Sequence, residues 1–139
     1  MSEESTTPGL ADLMRAVIEA QGVEDTMRFF GPASVYDLSV MGMGVFEGDA
    51  AIRGFLEDWG SSYDEEEDEA EEIIEFANGV VLAVIRGKGR PAGSPVGVHV
   101  TAHRNAVAVW ADGLIERVTI YRDTDEARAA AERLAQKRG

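Results

Sequence analysis

The dipeptide Asp112-Gly113 constrains this chain more than any other feature, because it lies between two long β-rich runs in VGVHVTAHRNAVAVWADGLIERVTIYRD, residues 96–123. A two-residue hairpin turn needs positive φ at both central positions, and Asp-Gly supplies this readily. Such a turn also sets a register. Ala111 faces Leu114, Trp110 faces Ile115, Ala108 faces Arg117, Ala106 faces Thr119 and Arg104 faces Tyr121. Opposed residues share a side of the sheet, and sides alternate along each strand. One face therefore carries Arg104, Ala106, Ala108, Trp110, Ile115, Arg117, Thr119 and Tyr121. The other carries His103, Asn105, Val107, Val109, Leu114, Glu116, Val118 and Ile120. The first set mixes small residues with polar and aromatic ones, which suits either a wet surface or a lined pocket. The second is mostly apolar and suits a core.

A chain of 139 residues is sized for one domain. The expectation is a disordered tail over residues 1–7 and a single domain over residues 8–139. The absence of cysteine removes thiolate chemistry and disulfides. A net charge of −13 opposes a phosphate backbone or an anionic membrane, so neither nucleic acid nor membrane is an expected partner. No window reaches the roughly 18 apolar residues of a membrane span. The start, MSEESTTPG, lacks the basic and apolar regions of a signal peptide, so the expected location is cytoplasmic.

Along the chain, Leu10, Leu13, Met14, Val17 and Ile18 recur at helical spacing up to Gly22. A second short helix fits residues 23–30, stopped by Gly31-Pro32. Residues 33–40 are β-prone, with Val35, Asp37 and Ser39 on one side and Tyr36, Leu38 and Val40 on the other. Asp37 suits either a strand-end aspartate bonded to local amides or a pocket carboxylate. Asp49 opens a helix whose apolar stripe is Ile52, Phe55, Leu56 and Trp59. The acidic run DEEEDEAEE, residues 64–72, reads as a solvated, mobile segment. A strand is expected over residues 71–77, then a turn at Asn78-Gly79, a doubly covered strand over residues 80–86 and a flexible connection over residues 87–95. Asp123 and Glu126 form a capping-box pattern before an alanine-rich closing helix, expected to be peripheral. Helices followed by a run of antiparallel strands give the α+β class.

Chemistry is sparse. His99 and His103 lie four residues apart on a strand, roughly 13 Å, too far to chelate together. Neither a metal site nor a cofactor is expected. No GxSxG elbow occurs and no phosphate-binding glycine loop opens a helix. Acid–base chemistry remains, with Asp37, Arg104, Arg117 and Tyr121 as the candidate groups.

The segments GPASVYDLSVMGMGVFEGDAAIRGFLEDW and AVAVWADGLIERVTIYRDTDEA resemble the SnoaL-like branch of the nuclear-transport-factor-like (ketosteroid isomerase-like) superfamily. The resemblance implies a cone: a curved antiparallel sheet closed by the N-terminal helices around a deep pocket. It implies that Ala106, Ala108, Trp110, Arg117 and Thr119 contact a small, largely apolar or aromatic ligand. The position of the isomerase general base falls on Asp37, so Asp37, Arg104 and Tyr121 become the candidate catalytic residues. The oxyanion partners are not matched, since their positions fall near Val17 and at Ala106. The epoxide hydrolase Arg-x-Asp is also incomplete, as Arg104-Asn105-Ala106. The resemblance further implies a homodimer through the Val107, Val109, Val118 and Ile120 face. Three readings follow: a pocket protein that binds a ligand, an isomerase, cyclase or lyase using Asp37 as base, and a dimerisation module.

Overall fold

The computed structural model describes residues 9–138, so the expected tail at residues 1–7 lies outside the described residues. Helix α1 (Leu10–Ile18) places its apolar stripe inward, with Met14 buried, and α2 (Gly22–Met27) follows after a tight turn. The second helix was expected to reach residue 30 and stop at Gly31-Pro32; it ends at Met27, and strand β1 (Phe30–Asp37) already includes Gly31-Pro32. The strand survives the proline because its register shifts between Phe30 and Val35. Ser34 holds the irregularity: its hydroxyl accepts from the Gly31 amide at 2.8 Å and donates to the Ile115 carbonyl at 2.5 Å. A 3-10 turn (Ser39–Met41) and the short β2 (Val45–Glu47) lead to α3 (Asp49–Gly60). Then come β3 (Tyr63–Glu75), β4 (Val80–Pro91), β5 (Val100–Ala111), β6 (Leu114–Tyr121) and α4 (Thr124–Arg138).

The six strands form one sheet in the order β2-β1-β6-β5-β4-β3. Neighbours pair antiparallel except β1 and β6, which are parallel, so the sheet is mixed rather than wholly antiparallel. Parallel neighbours cannot be joined by a hairpin, and here most of the chain separates them. Both expected turns form, with φ of 64° at Asn78, 82° at Gly79, 54° at Asp112 and 80° at Gly113.

The hairpin register departs from the one read off the turn. Ala111 opposes Leu114 and Trp110 opposes Ile115 as expected. A bulge that adds Glu116 then shifts the pairing, so that Val109 opposes Arg117, Ala108 opposes Val118 and Ala106 opposes Ile120. A one-residue slip sends every later side chain to the other face. Val118 and Ile120 turn inward, and Arg117, Thr119 and Tyr121 turn outward.

The acidic run is strand rather than a mobile segment, since residues 64–72 fall within β3. An edge strand can carry dense charge because one side has no ladder partner and one face meets solvent. Arginines on neighbouring strands offset the repulsion. Arg90 pairs with Asp64 at 3.1 Å, Arg86 pairs with Glu69, and Arg104 pairs with Asp68 at 2.7 Å. The expected flexible connection also shortens, because residues 87–91 continue β4.

The sheet has two covered faces. Helices α1 to α3 cover the inner face, where Ile52, Val81, Ala83, Ala108 and Trp110 are packed. Helix α4 lies outside the cone, yet it is closely packed: Ala127, Ala131 and Ala135 are buried on Val80, Leu82, Val107 and Val109. Alanine lets the helix approach the strands closely, so a helix whose one large apolar residue is Leu134 still seals the face. The expected dimer face is therefore not assembled. Val107 and Val109 lie under α4, while Val118 and Ile120 belong to the inner core. Among the described residues no helix is long and apolar enough to cross a membrane.

Candidate functional site

A cavity of about 280 Å³ lies between the inner face of the sheet and the helices. Its body is apolar. Met14 and Val17 from α1, Phe55 from α3, and Ala106, Val118 and Ile120 from the sheet are among its walls. Alternation explains β1: Tyr36 and Leu38 face inward and Asp37 faces outward. Met41 and Met43, flanking Gly42, border the cavity from the segment before β2.

One end of the cavity is polar, formed by Tyr36, Trp59, Glu66, Asp68 and Arg104. Glu66 and Asp68 lie on the same side of β3. Arg104 Nη2 donates to Asp68 Oδ2 at 2.7 Å, and both side chains are mostly buried. Trp59 Nε1 donates to Glu66 Oε2 at 2.6 Å. Asp68 Oδ1 is buried without a hydrogen-bond partner among the described residues, a state that costs about 1–3 kcal/mol for a polar group. That oxygen rests against Gly87, which opposes Asp68 across the β3–β4 ladder. A Cβ at Gly87 would lie 2.9 Å from Asp68 Oδ1 and 3.3 Å from Arg104 Nη1. The missing side chain at Gly87 is thus what leaves room for the ion pair. A smaller recess of about 40 Å³, beside Tyr63 and Gly89, shares Trp59, Glu66, Asp68 and Arg104 with the cavity.

The electrostatics agree with this geometry. Burial raises the pKa of Tyr36 above its ordinary 10.0, and Asp68 and Glu66 add to the rise against the opposing pull of Arg104. The phenol is therefore neutral at physiological pH. Its hydroxyl has no hydrogen-bond partner among the described residues. Burial acts against the charge on Arg104, but Tyr36, Asp68 and Glu66 outweigh it and raise its pKa above the ordinary guanidinium value. Aromatic rings continue along this wall: Phe30 stacks on Tyr36 at 6.2 Å, Phe55 meets Tyr36 edge-on at 5.6 Å, and Trp59 lies 6.1 Å from Phe55.

The residues singled out from the sequence divide between the two faces. Arg104 and Ala106 border the cavity. Ala108 and Trp110 also point inward but are packed in the core rather than against the cavity. Trp110 meets Phe29 edge-on at 6.3 Å, and its Nε1 is buried without a partner. Asp37, Arg117, Thr119 and Tyr121 are on the outer face. Asp37 accepts from the Ser39 amide at 2.9 Å and the Ser39 hydroxyl at 2.6 Å, and it pairs with Arg117. Burial would raise its pKa, but these bonds outweigh burial and lower it below 3.8. A general base built on Asp37 with Tyr121 at its side does not form, because neither residue reaches the cavity. The Tyr121 pKa is raised, chiefly by burial. Tyr36, Trp59, Glu66 and Asp68 were not singled out. The alternation of VYDLS already placed Tyr36 opposite Asp37, and Gly87 and Gly89 at alternate positions marked the place where side chains cross β4.

No protein-family model matches the chain, and no curated protein matches it. Solved structures do. A protein of ketosteroid isomerase-like fold from Catenulispora acidiphila, in complex with trimethylamine, aligns at a TM-score of 0.68 and 14% identity, over 91% of this chain and 95% of that one. An NTF2-like protein of unknown function from Burkholderia pseudomallei aligns at 0.67 and 16% identity, over 84% and 92%. A candidate polyketide cyclase from Xanthomonas campestris aligns at 0.64 and 22% identity, over 88% and 96%. The chain thus has the α+β cone fold of the NTF2-like, ketosteroid isomerase-like proteins, the fold that its sequence resembled.

Proposed function

We propose that this protein binds a small, largely apolar ligand inside the cone. The cavity of about 280 Å³, apolar along its body and polar at the Tyr36–Asp68–Arg104 end, is the observation that carries the reading. In this reading Ala106 contacts the ligand, Arg104, expected among the catalytic residues, is a lining residue instead, and Tyr36, Trp59, Glu66 and Asp68 join them. The Tyr36 hydroxyl, which has no partner among the described residues, orients the ligand's polar group. One protein of the same fold is described in complex with a small molecule, trimethylamine, which supports the reading. Fold by itself does not assign a role.

The test is a screen of small aromatic and alicyclic compounds by thermal shift and ligand-observed NMR, run beside Ala106→Phe. Hits on the parent that vanish in Ala106→Phe, with circular dichroism unchanged, are the expected result. Hits that persist in Ala106→Phe, or no hits on the parent, would overturn the cavity as the binding site.

A cytoplasmic homodimer remains part of the proposal, but through a surface other than the valine–isoleucine face. Val40, Met43 and Val45 are exposed near the β2 edge and motivate such a surface. A monomeric mass by light scattering at micromolar concentration would remove the dimer.

A further inference from the structure

We propose that the cavity selects an organic cation, an ammonium group on a small apolar body, over neutral and anionic molecules of the same shape. The inference rests on the ligand-binding reading above and names the charge of the ligand.

Three features of the polar end support it. The first is the local charge. Glu66, Glu67 and Asp68 are three carboxylates in the lining, and Arg104 supplies one positive group, so the lining carries two net negative charges. Arg104 is bonded to Asp68, which leaves Glu66 and Glu67, both exposed at the mouth of the cavity, as the unbalanced charges, with Glu66 held in place by Trp59. The second is the aromatic wall beside these carboxylates. Tyr36, Phe55 and Trp59 border the cavity and touch one another in sequence, presenting ring surface of the kind that attracts ammonium groups. The third is the enclosed Tyr36 hydroxyl, which has no partner among the described residues and is available to a ligand.

Arg104 opposes a cation, but its charge is offset by Asp68 at 2.7 Å, whereas an anion would meet Glu66 without compensation. The net charge of −13 acts in the same direction at longer range, raising the local concentration of cations and slowing the approach of anions. The apolar body of the cavity requires that the cation carry hydrocarbon, which sets aside a bare metal ion or ammonium.

The experiment uses three probes matched in size: choline, its uncharged carbon isostere dimethylbutanol, and the corresponding carboxylate, dimethylbutanoate. Binding to the full chain is read by calorimetry and by tryptophan fluorescence, compared with that of Trp59→Phe, in which only Trp110 reports. Choline is expected to bind about tenfold or more tightly than the alcohol, with the carboxylate weakest. Glu66→Gln removes one negative charge and keeps an oxygen for the Trp59 N–H; it should shift choline toward the affinity of the alcohol. Arg104→Met should tighten choline further in the folded fraction, an effect that a merely structural arginine would not give. Equal or tighter binding of the alcohol or the carboxylate would overturn the charge selection and leave the ligand-binding reading standing. No binding by any of the three would overturn the selection and count against the ligand-binding reading as well.

Discussion

Two aspartate–arginine pairs, Asp68–Arg104 and Asp37–Arg117, lie on opposite faces of the same sheet and perform different tasks. The outer pair is locally satisfied. Asp37 has the Ser39 amide and hydroxyl as well as Arg117, whose side chain is 46% exposed. It ties the end of β1 to its parallel neighbour β6. The inner pair is enclosed and incompletely satisfied. Asp68 Oδ1 has no partner among the described residues, and Arg104 is 29% exposed against the cavity. Removing one member of an enclosed pair strands the other charge, whereas a half-exposed arginine can turn to water. The comparison teaches that residue type did not assign the site. Which face each pair occupies did.

The comparison can be broken at several points, the largest effect coming first. Asp68→Ala leaves the Arg104 guanidinium unpaired in its enclosure and should cost on the order of 3 kcal/mol in urea unfolding. A loss below that of Asp37→Ala would invert the assignment of inner and outer pairs. Asp37→Ala removes a part-buried carboxylate with three bonded donors and should cost about 1–3 kcal/mol. Because the folded-state pKa of Asp37 is below 3.8, its contribution is full above that value and is lost as pH falls through the depressed pKa. Parent and Asp37→Ala stabilities should therefore converge in acid, and parallel curves across that window would contradict the pairing.

Gly87→Ala sharpens the inner half of the comparison. Alanine in a strand normally gains about 0.5–1 kcal/mol over glycine. Here its Cβ would press on Asp68 and Arg104, so the variant should be less stable than the parent by about 1 kcal/mol. A stabilised Gly87→Ala would show that the close approach has no consequence. The smallest effect is expected at Arg117→Leu, below about 1 kcal/mol, since the exposed arginine is one of several groups holding Asp37.

A good share of the fold was legible in the chain. Asp112-Gly113 and Asn78-Gly79 gave the two hairpin turns, and the helical stripes at Leu10–Ile18 and Asp49–Gly60 stand where the spacing placed them. The acidic strand was not legible, because like charge suppresses the β signal and the compensating arginines come from β4 and β5. The buried face of α4 was hidden as well, since alanine gives little hydrophobic periodicity while still permitting close packing. Among the candidate site residues, Arg104 and Ala106 reach the cavity because they lie on β5, whose side chains kept the expected faces. Arg117, Thr119 and Tyr121 lie past the bulge at Glu116 and were assigned to the wrong face.

By itself, the sequence determined what is local: turn positions, helical faces, the α+β class and the alternation within each strand. Each of these follows from the conformational preferences and spacing of neighbouring residues. Tertiary structure decided the rest. The bulge set which half of the hairpin faces inward, the order of strands brought Asp68 beside Arg104 across Gly87, and the parallel pairing of β1 with β6 placed Asp37 against Arg117 on the outside. These outcomes depend on the register between segments distant in the chain, and a register shifted by one residue exchanges the two faces of a strand.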